Sequence, residues 1–291
     1  MIKVKKKYIA IFLIPGILIY LFVYAVPLVT LVSTSFTQWK IGADIAFNGF
    51  TNYIELFQDK DGFHHAFFNT LIWIFLQATV HVFIGVTVAL ILSRRKFYWK
   101  FVRSVYMIPN VISAAALGMM YRLLFNANFG AVNEIIQFFG AEGFQKNWYF
   151  DSGSAFWTVT AAWLPFAGTV MLLVMAEIAA IDPALMEAAR IDGASEGQII
   201  TRITLPLLRN IIATCMILGG TSMLQKLDII MMTTNGGPMN RTLNLPLFIY
   251  QTALRQNNFG LANSAGVCLI LIGVIFVLLV QKIFRVGTSD I

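Results

Sequence analysis

Four polar residues interrupt an apolar run near position 225 and are the first candidates for chemistry in this sequence: Ser222, Gln225, Lys226 and Asp228. Polar side chains in such a run usually face a cavity or the interior of a helix bundle, because lipid cannot solvate them. Lys226 and Asp228 are two positions apart and would point in different directions on a helix, so each needs another partner or water. The four groups indicate contact with a polar solute along a pathway.

Two prolines point to further candidates in other apolar runs. Asn110 and Ser113 follow Pro109, and Trp163 precedes Pro165. A proline frees a backbone carbonyl that protein or water must satisfy. An aromatic face, an amide and a hydroxyl suit a hydroxylated solute, so Asn110, Ser113 and Trp163 join the predicted solute pathway.

A structural role is the alternative for several of these residues. Trp163 could lie at the membrane interface or face lipid, and Lys226 could extend its ammonium group to the bilayer surface. His81, in an earlier apolar run, is predicted to hydrogen-bond between helices rather than to bind a ligand.

The composition identifies the surroundings of these residues. Of 291 residues, 58% are hydrophobic and 12% are charged, whereas soluble domains carry about 25% charged residues. A soluble enzyme is therefore excluded. Cys215 and Cys268 lie in apolar runs without CxxC or Cys/His spacing, so we predict neither a metal site nor a redox centre. The net charge of +7 comes from basic clusters beside apolar segments, which is typical of membrane proteins and gives no reason to expect nucleic acid.

Windows of about 20 apolar residues, the length that crosses a bilayer, occur six times. We predict an all-α integral membrane protein with six transmembrane helices in a single domain, residues 1–291. The predicted spans are residues 8–33, 66–93, 105–125, 154–176, 211–234 and 261–281. Amphipathic patterns over residues 50–57 and 131–139 predict short helices along the outer surface.

Six spans place both termini on one side of the membrane, and the basic residues identify that side. Fourteen of the 21 Lys and Arg residues fall in the terminal and inner segments, five fall in the outer connections, and Arg122 and Lys226 fall within spans. Positive charge is enriched on the cytoplasmic side of membrane proteins. We therefore predict a multi-pass protein of the plasma membrane with both termini in the cytoplasm.

The stretch between the fourth and fifth spans, residues 177–210, has the pattern of two capped helices rather than of a loop. An N-cap acceptor followed by proline starts the first helix, and a glycine past its end suits a left-handed closing turn. A capping box starts the second helix, and a proline ends it. These signals are Asp182-Pro183, Gly193, Ser195 with Gln198, and Leu205-Pro206.

The surface of this stretch suits docking against another protein. Ala188, Ala189 and Ala194 are small enough for a partner's backbone to approach closely, and Glu187 and Asp192 offer charges that would register the contact. A solvated amphipathic connector is the alternative.

The same residues resemble the EAA signature of permease subunits of binding-protein-dependent ABC importers, and we call residues 177–210 the EAA segment. The matching blocks are Glu187-Ala188-Ala189, Asp192-Gly193-Ala194 and Ile203-Thr204-Leu205-Pro206. The blocks similar to the carbohydrate-importing, maltose-type branch are Asn69-Thr70-Leu71, Pro109 and Asn235-Gly236-Gly237-Pro238. The resemblance runs from about residue 11 to residue 284 and departs at Ile199 and Ile200, where relatives usually carry an aromatic residue.

The resemblance implies a type I ABC importer permease fold in which the first helix of the EAA segment is a cytoplasmic coupling helix seated on an ATPase. Its docking residues would be Glu187, Ala188, Ala189, Asp192, Gly193 and Ala194. The chain has no GxxxxGK(S/T) loop and no Gly-Lys dipeptide. ATP and magnesium would therefore be bound by a separate ATPase, and no cofactor by this chain.

The implied bacterial assembly joins one copy of this chain to a second homologous permease subunit, two ATPase subunits and an extracytoplasmic sugar-binding protein in a lipid bilayer. This chain would supply half of an alternating-access pathway for a carbohydrate, with an oligosaccharide favoured. The polar candidates fit a monosaccharide, a disaccharide or an oligosaccharide equally well, and even a glycerol phosphate ester, for which Lys226 would be a convenient cation.

Two other classes of membrane protein remain as alternatives. A secondary transporter driven by an ion gradient would show inverted repeats, broken helices and an acidic coupling residue, for which Asp228 is the candidate within a span. An intramembrane enzyme would need a catalytic set, but the predicted spans contain no HExxH motif and no paired carboxylates, and the GxSxG match at residues 193–197 lies outside them. We therefore predict no catalytic residue.

Overall fold

The computed structural model describes residues 6–94 and 97–284. Five basic residues that enter the predicted charge asymmetry lie outside the described residues: Lys3, Lys5, Arg95, Lys96 and Arg285. The described chain is largely helical, with one two-stranded antiparallel sheet.

The elements follow one another along the chain with few long connections. The α-helices are α1 (Lys6–Tyr20), α2 (Val26–Thr34), α3 (Thr51–Gln58), α4 (Phe63–Leu76), α5 (Val82–Ser93), α6 (Trp99–Val111), α7 (Ala114–Leu124), α8 (Ala131–Phe138), α9 (Ala155–Ala161), α10 (Gly168–Ala180), α11 (Pro183–Ile191), α12 (Glu196–Ile199), α13 (Leu205–Leu207), α14 (Arg209–Ser222), α15 (Asp228–Thr233), α16 (Leu245–Leu254) and α17 (Phe259–Phe284). Wider π turns are π1 (Leu21–Ala25), π2 (Gln77–His81) and π3 (Ile200–Thr204), a 3₁₀ turn covers Met223–Gln225, and the strands are β1 (Thr37–Gln38) and β2 (Ala46–Phe47).

Three stretches of the described chain are long and apolar enough to cross a bilayer as continuous helices: Phe12–Thr34, Phe63–Ser93 and Phe259–Phe284. They agree with the spans predicted over residues 8–33, 66–93 and 261–281. Three more candidates qualify only as bent pairs of helices: α6 with α7 at 102°, α10 with α11 at 70°, and Glu196–Leu207 with Arg209–Gln225 at 65°.

The spans predicted over residues 105–125, 154–176 and 211–234 are not continuous helices. The first stretch is broken at Ile112 and Ser113, the second over residues 162–167, and the third at Lys226 and Leu227. A window of apolar residues measures composition and not continuity. A helix can stop inside such a window wherever other side chains satisfy the freed backbone groups.

The chain divides into two compact units. The smaller unit comprises residues up to 60 together with residues 248–270. Its polar centre is the buried side chain of Asn52, whose Nδ2 donates to Ser35 O at 2.8 Å and to Thr37 O at 2.9 Å. Ser264 Oγ donates to the same Ser35 carbonyl at 2.9 Å. Helix α3 confirms the short helix predicted over residues 50–57.

The larger unit comprises residues 61–247 together with those from 271 onwards. Its apolar core lies where α5 packs against α10, with Val86 and Ala89 on one helix and Met171 and Val174 on the other. Helix α8 in this unit confirms the short helix predicted over residues 131–139.

Helix α8 is held by the buried side chain of Asn133. The Nδ2 of Asn133 donates to Ala127 O at 3.0 Å and to Lys146 O at 3.1 Å, and its Oδ1 accepts from Trp148 Nε1 at 2.7 Å. The amide therefore satisfies loop carbonyls on both sides of the helix, which fixes an otherwise irregular connection.

Candidate functional site

A cavity of about 320 Å³ in the larger unit is lined by residues from all three broken stretches. Its size lies at the lower end of the range for small-molecule sites, about 300 to 1,000 Å³. The polar or aromatic residues on its wall are Gln77, His81, Asn110, Trp163, Phe166, Thr169, Ser222 and Lys226. The cavity is the candidate functional site.

The first break, between α6 and α7, lies at the cavity wall, and Ala114 and Leu117 of α7 also line it. Ile112 is extended, with ψ 139°, and Ser113 caps α7 by accepting from Ala116 N at 3.3 Å. Pro109 and Asn110 remain on the wall. Of the two predicted pathway residues here, Ser113 therefore starts a helix, whereas Asn110 lines the cavity.

The second break, between α9 and α10, presents three successive backbone carbonyls. Side chains on neighbouring helices satisfy them: His81 Nδ1 donates to Leu164 O at 2.9 Å, the hydroxyl of Tyr106 donates to Pro165 O, and Asn110 Nδ2 donates to Phe166 O at 3.4 Å. This arrangement meets the requirement that irregular backbone at membrane depth be paired within the protein. His81 forms the interhelical hydrogen bond that the sequence predicted.

The third break follows the 3₁₀ turn and places Lys226 in an extended conformation, with ψ 91°. Asn244 pins this break, because its Nδ2 donates to Lys226 O at 2.6 Å while its Oδ1 accepts from Leu247 N at 3.1 Å. One buried amide therefore holds the broken helix and caps α16.

The Asn69-Thr70 pair in α4 fixes the loop that carries Asn244. Asn69 Nδ2 donates to Arg241 O at 3.0 Å and to Leu243 O at 2.8 Å. Thr70 Oγ1 accepts from Leu245 N at 2.9 Å. A chain of hydrogen bonds thus connects α4 through this loop to the backbone of the cavity wall at Lys226.

The ammonium of Lys226 lies over an aromatic face on the cavity wall. Its Nζ is 5.2 Å from the centroid of the Trp163 ring, a distance at which the ring attracts a cation. Trp163 is buried and packs edge-on against Trp73 with the centroids 5.3 Å apart. Trp73 in turn donates from Nε1 to Thr160 Oγ1 at 2.8 Å, so the aromatic pair is fixed.

The structure brings four of the seven predicted pathway residues together on this wall: Asn110, Trp163, Ser222 and Lys226. The other three are not among its lining residues. Ser113 caps α7, and Gln225 and Asp228 are exposed beside the third break.

Sequence reasoning missed two polar wall residues, Gln77 and Thr169, and the aromatic Phe166. Gln77 and His81 are four positions apart on π2, and this spacing was a signal that could have identified Gln77.

The EAA segment has the predicted capped form. Asp182 Oδ1 accepts from Ala184 N at 3.0 Å, and Gly193 closes the first helix in the left-handed region, with φ 81°. Ser195 and Gln198 form the predicted capping box, with Ser195 N to Gln198 Oε1 at 2.7 Å.

The predicted end of the second EAA helix at Leu205-Pro206 is wrong. The helix continues through π3 to Leu207 and bends at Leu208. Pro206 falls in the first turn after the wide π segment, a position where a helix tolerates a residue without a backbone N–H. Ile199, at one of the two positions where the sequence departs from the signature, is buried.

An ion pair closes the corner between the two EAA helices. Arg190 Nε donates to Glu196 Oε1 at 2.8 Å. This hydrogen bond lowers the pKa of the Glu196 carboxyl and raises that of the Arg190 guanidinium. The predicted docking residues lie beside the corner: Glu187, Ala188, Asp192 and Gly193 are exposed, and Ala189 and Ala194 are half-buried. The segment therefore presents a braced helix with small and acidic side chains accessible.

The family comparison decides the identity of this fold. The model of the family described as binding-protein-dependent transport system inner membrane component matches residues 81–286. The chain belongs to this family. It is a multi-pass inner-membrane permease subunit of a binding-protein-dependent ABC transporter and is not itself catalytic. In such transporters ATP is bound by the partner ATPase.

Individual relatives extend over nearly the whole permease. It is 27% identical over 284 residues to Probable ABC transporter permease protein YurN of Bacillus subtilis, covering 96% of each chain. It is 30% identical over 263 residues to the diacetylchitobiose uptake system permease protein NgcF of Streptomyces coelicolor, covering 86% of this chain and 74% of that one.

A solved structure has the same fold. The permease is similar, with a TM-score of 0.82 and 23% identity, to a chain of a bacterial alginate ABC transporter crystallised with an alginate pentasaccharide-bound periplasmic protein. The match covers 97% of this chain and 96% of that chain. Family membership also removes the secondary-transporter alternative, although broken helices, one of its expected features, occur here.

Proposed function

We propose that this permease forms half of the pathway of an ATP-driven carbohydrate importer, with the cavity at the three helix breaks as its solute site. The observation that carries the proposal is the convergence of an aromatic face, amides, hydroxyls and an ammonium on one wall. Such groups bind a polyhydroxylated solute by stacking and hydrogen bonding. The relative NgcF, named for diacetylchitobiose uptake, supports a saccharide substrate.

The second half of the proposal assigns the EAA segment to ATPase docking on the cytoplasmic side. The ion pair between Arg190 and Glu196 braces the corner, so force applied to α11 would be transmitted to the helix pair that follows. Glu187 on α11 is exposed and free to meet a basic residue of an ATPase. A homologous second permease, two ATPase subunits and an extracytoplasmic sugar-binding protein complete the proposed importer, with both termini of this chain in the cytoplasm.

Charge reversal at Glu187 tests the docking assignment. Glu187→Lys in the complete complex should reduce ATPase recovery on affinity purification by at least tenfold and abolish ATP-dependent uptake in proteoliposomes. Two repelling charges at a contact cost several kcal/mol when desolvated, roughly the free energy of such a loss or more. Membrane insertion should be unchanged.

Glu134→Lys in α8 is the matched control, because Glu134 is also exposed and lies in a helix predicted on the other side of the membrane. It should leave ATPase recovery intact. Normal ATPase recovery and uptake with Glu187→Lys would remove α11 from the docking surface. A second arm replaces the exposed Gly197 with cysteine, and its labelling from outside intact cells would place the EAA segment on the wrong side.

A further inference from the structure

The charged and titratable groups of the cavity wall are unbalanced. Lys226, His81 and Cys215 line the cavity, whereas no aspartate or glutamate of the described chain does. His81 uses its Nδ1 for the hydrogen bond to Leu164 O, and an imidazole is not a permanent charge. Lys226 is therefore the charged group that an entering solute meets.

Lys226 forms no ion pair with an anionic side chain of the described residues. The Trp163 ring stabilises the ammonium only in part, because a cation over an aromatic face gains about 0.5 to 2 kcal/mol. Lys226 is half-buried, so its ammonium loses part of its hydration without a counter-charge and would be stabilised by an anion beside it. The backbone of Lys226 is also fixed by Asn244, so the group cannot leave the wall by local unwinding without breaking that bond.

Neutral polar groups surround this cation and are suited to hydroxyls. Asn110, Thr169 and Ser222 present amide and hydroxyl groups to the same cavity. Gln77 Oε1 is buried and without a hydrogen-bond partner in the described part of the chain, and rotation of this amide toward the cavity would let a solute hydroxyl pair with it and remove the desolvation cost. The wall therefore combines sites for sugar hydroxyls with one unmatched positive charge.

We propose that this cavity selects saccharides bearing an anionic group, a carboxylate or a phosphate, which Lys226 contacts while the sugar ring lies against Trp163. The inference rests on the proposed function and deepens it by naming the substrate class. It assigns to Lys226 the specificity for charge and to the amides and hydroxyls the recognition of the ring.

A charge-sensitive labelling experiment tests the proposal without depending on the specificity of the binding protein. Ser222→Cys is introduced into the complete importer with Cys215→Ala and Cys268→Ala. The cysteine at position 222 is labelled with an anionic reagent, sulfonatoethyl methanethiosulfonate, and with a cationic one, trimethylammonioethyl methanethiosulfonate. Each rate is divided by the rate of the same reagent with a small thiol in solution. The anionic reagent should react preferentially. Lys226→Gln should reduce the anion-to-cation ratio about tenfold, because the reagents differ by two charges beside one cation. Lys226→Arg should keep the ratio.

Protection from labelling identifies the anion. Millimolar trigalacturonate and glucose 6-phosphate represent the carboxylate and the phosphate, and maltotriose is the neutral control. Slower labelling with either anionic sugar, lost in Lys226→Gln, supports the proposal and names the anion. Equal protection by maltotriose, or protection unaffected by Lys226→Gln, overturns it.

The two levels of the proposal fail in different ways. If the wild-type permease neither recovers an ATPase nor supports ATP-driven uptake, the proposed importer function is refuted. The labelling ratio can still be measured in that case. An assembled, ATP-driven importer whose labelling ratio equals that of the free thiol would refute only the anion selectivity, as expected if a partner's carboxylate neutralises Lys226. If Lys226→Gln does not assemble, the ratio in the Ser222→Cys protein and in Lys226→Arg still decides.

Discussion

Removal of the Asn244 side chain should destabilise the permease more than any exposed substitution. Asn244 is 1% exposed and makes two hydrogen bonds, to Lys226 O at 2.6 Å and from Leu247 N at 3.1 Å. Asn244→Ala deletes both. It leaves the carbonyl at the third helix break and an N–H at the start of α16 without their partners.

The size of the effect follows from these two groups. An orphaned buried carbonyl costs about 1 to 3 kcal/mol, and loss of an N-cap costs about 0.5 to 2 kcal/mol. A total of about 2 to 4 kcal/mol is therefore expected. By the scaling of soluble domains of this size class, in which 1 kcal/mol shifts Tm by about 2 to 4 °C, the unfolding temperature should fall by about 5 to 15 °C.

The permease carries its own reporter for the measurement. Cys268 is buried, free and not on the cavity wall, so in a Cys215→Ala background a fluorogenic maleimide reacts with it in detergent only as the structure opens. Asn244→Ser separates the two contributions, because serine caps a helix but lacks the amide donor. It should lose only the contribution of the carbonyl. Asn147→Ala, at an exposed position, is the control and should unfold with the wild type.

Unfolding of Asn244→Ala at the wild-type temperature would refute the reasoning, because the Lys226 carbonyl would then have another partner. If Asn244→Ser matched the wild type while Asn244→Ala did not, only the helix cap would matter, and the pinning of the break would be wrong.

Two further predictions concern the brace of the EAA segment and the core of the larger unit. Arg190→Ala should speed hydrogen exchange a few-fold at the turn before Glu196. Because the pKa of Glu196 is lowered, the ion pair is fully formed above the ordinary pKa of 4.5 and is lost as the pH falls through the folded-state value. If neither Arg190→Ala nor the fall in pH changed the exchange rate at this turn, the ion pair would not brace the EAA segment. Gly85→Ala should cost about 1 to 3 kcal/mol by overpacking, because the new Cβ would lie 2.5 Å from Val170 Cγ1. Val170→Ala in the same chain should restore part of the loss in the maleimide assay, Gly197→Ala in open space is the control, and an absence of rescue would contradict close packing there.

The parts of the fold that sequence predicted are those governed by local interactions. The capping box of Ser195 and Gln198 joins groups three residues apart, and Gly193 closes a turn within one helix end. Long apolar spans were also predictable, because bilayer thickness fixes their length. These features need no knowledge of the rest of the chain.

The helix breaks depend on partners distant in sequence. The carbonyls of Leu164 and Pro165 are satisfied by His81 and Tyr106, which lie 83 and 59 residues away. No local pattern reveals such pairs. Pro109 and Pro165 did mark candidate sites of disruption, but proline alone does not determine where the chain bends: the break beyond Pro109 comes three residues later, at Ile112.

The site was predictable in its residue types but not in its boundary. Lys226 and Trp163 were both identified as polar or aromatic interruptions, and the structure brings them together. Gln225 and Asp228 carry the same polar signal and yet are not among the residues that line the cavity. Which neighbour of a helix break faces inward is set by the backbone of the break, and that depends on Asn244.

The wide turn π2 makes the side chains on the cavity wall independent of the packing register of the helices on either side of it. Adding or removing one residue in an α-helix rotates everything beyond it by about 100°, which would misalign either Trp73 or Val86 with its packing partners. A π turn takes up an extra residue within a few positions. Loss of one residue from π2 would convert the turn to regular α-helix while the flanking helices keep their registers, so the side chains that this stretch presents to the wall can change without rebuilding the core.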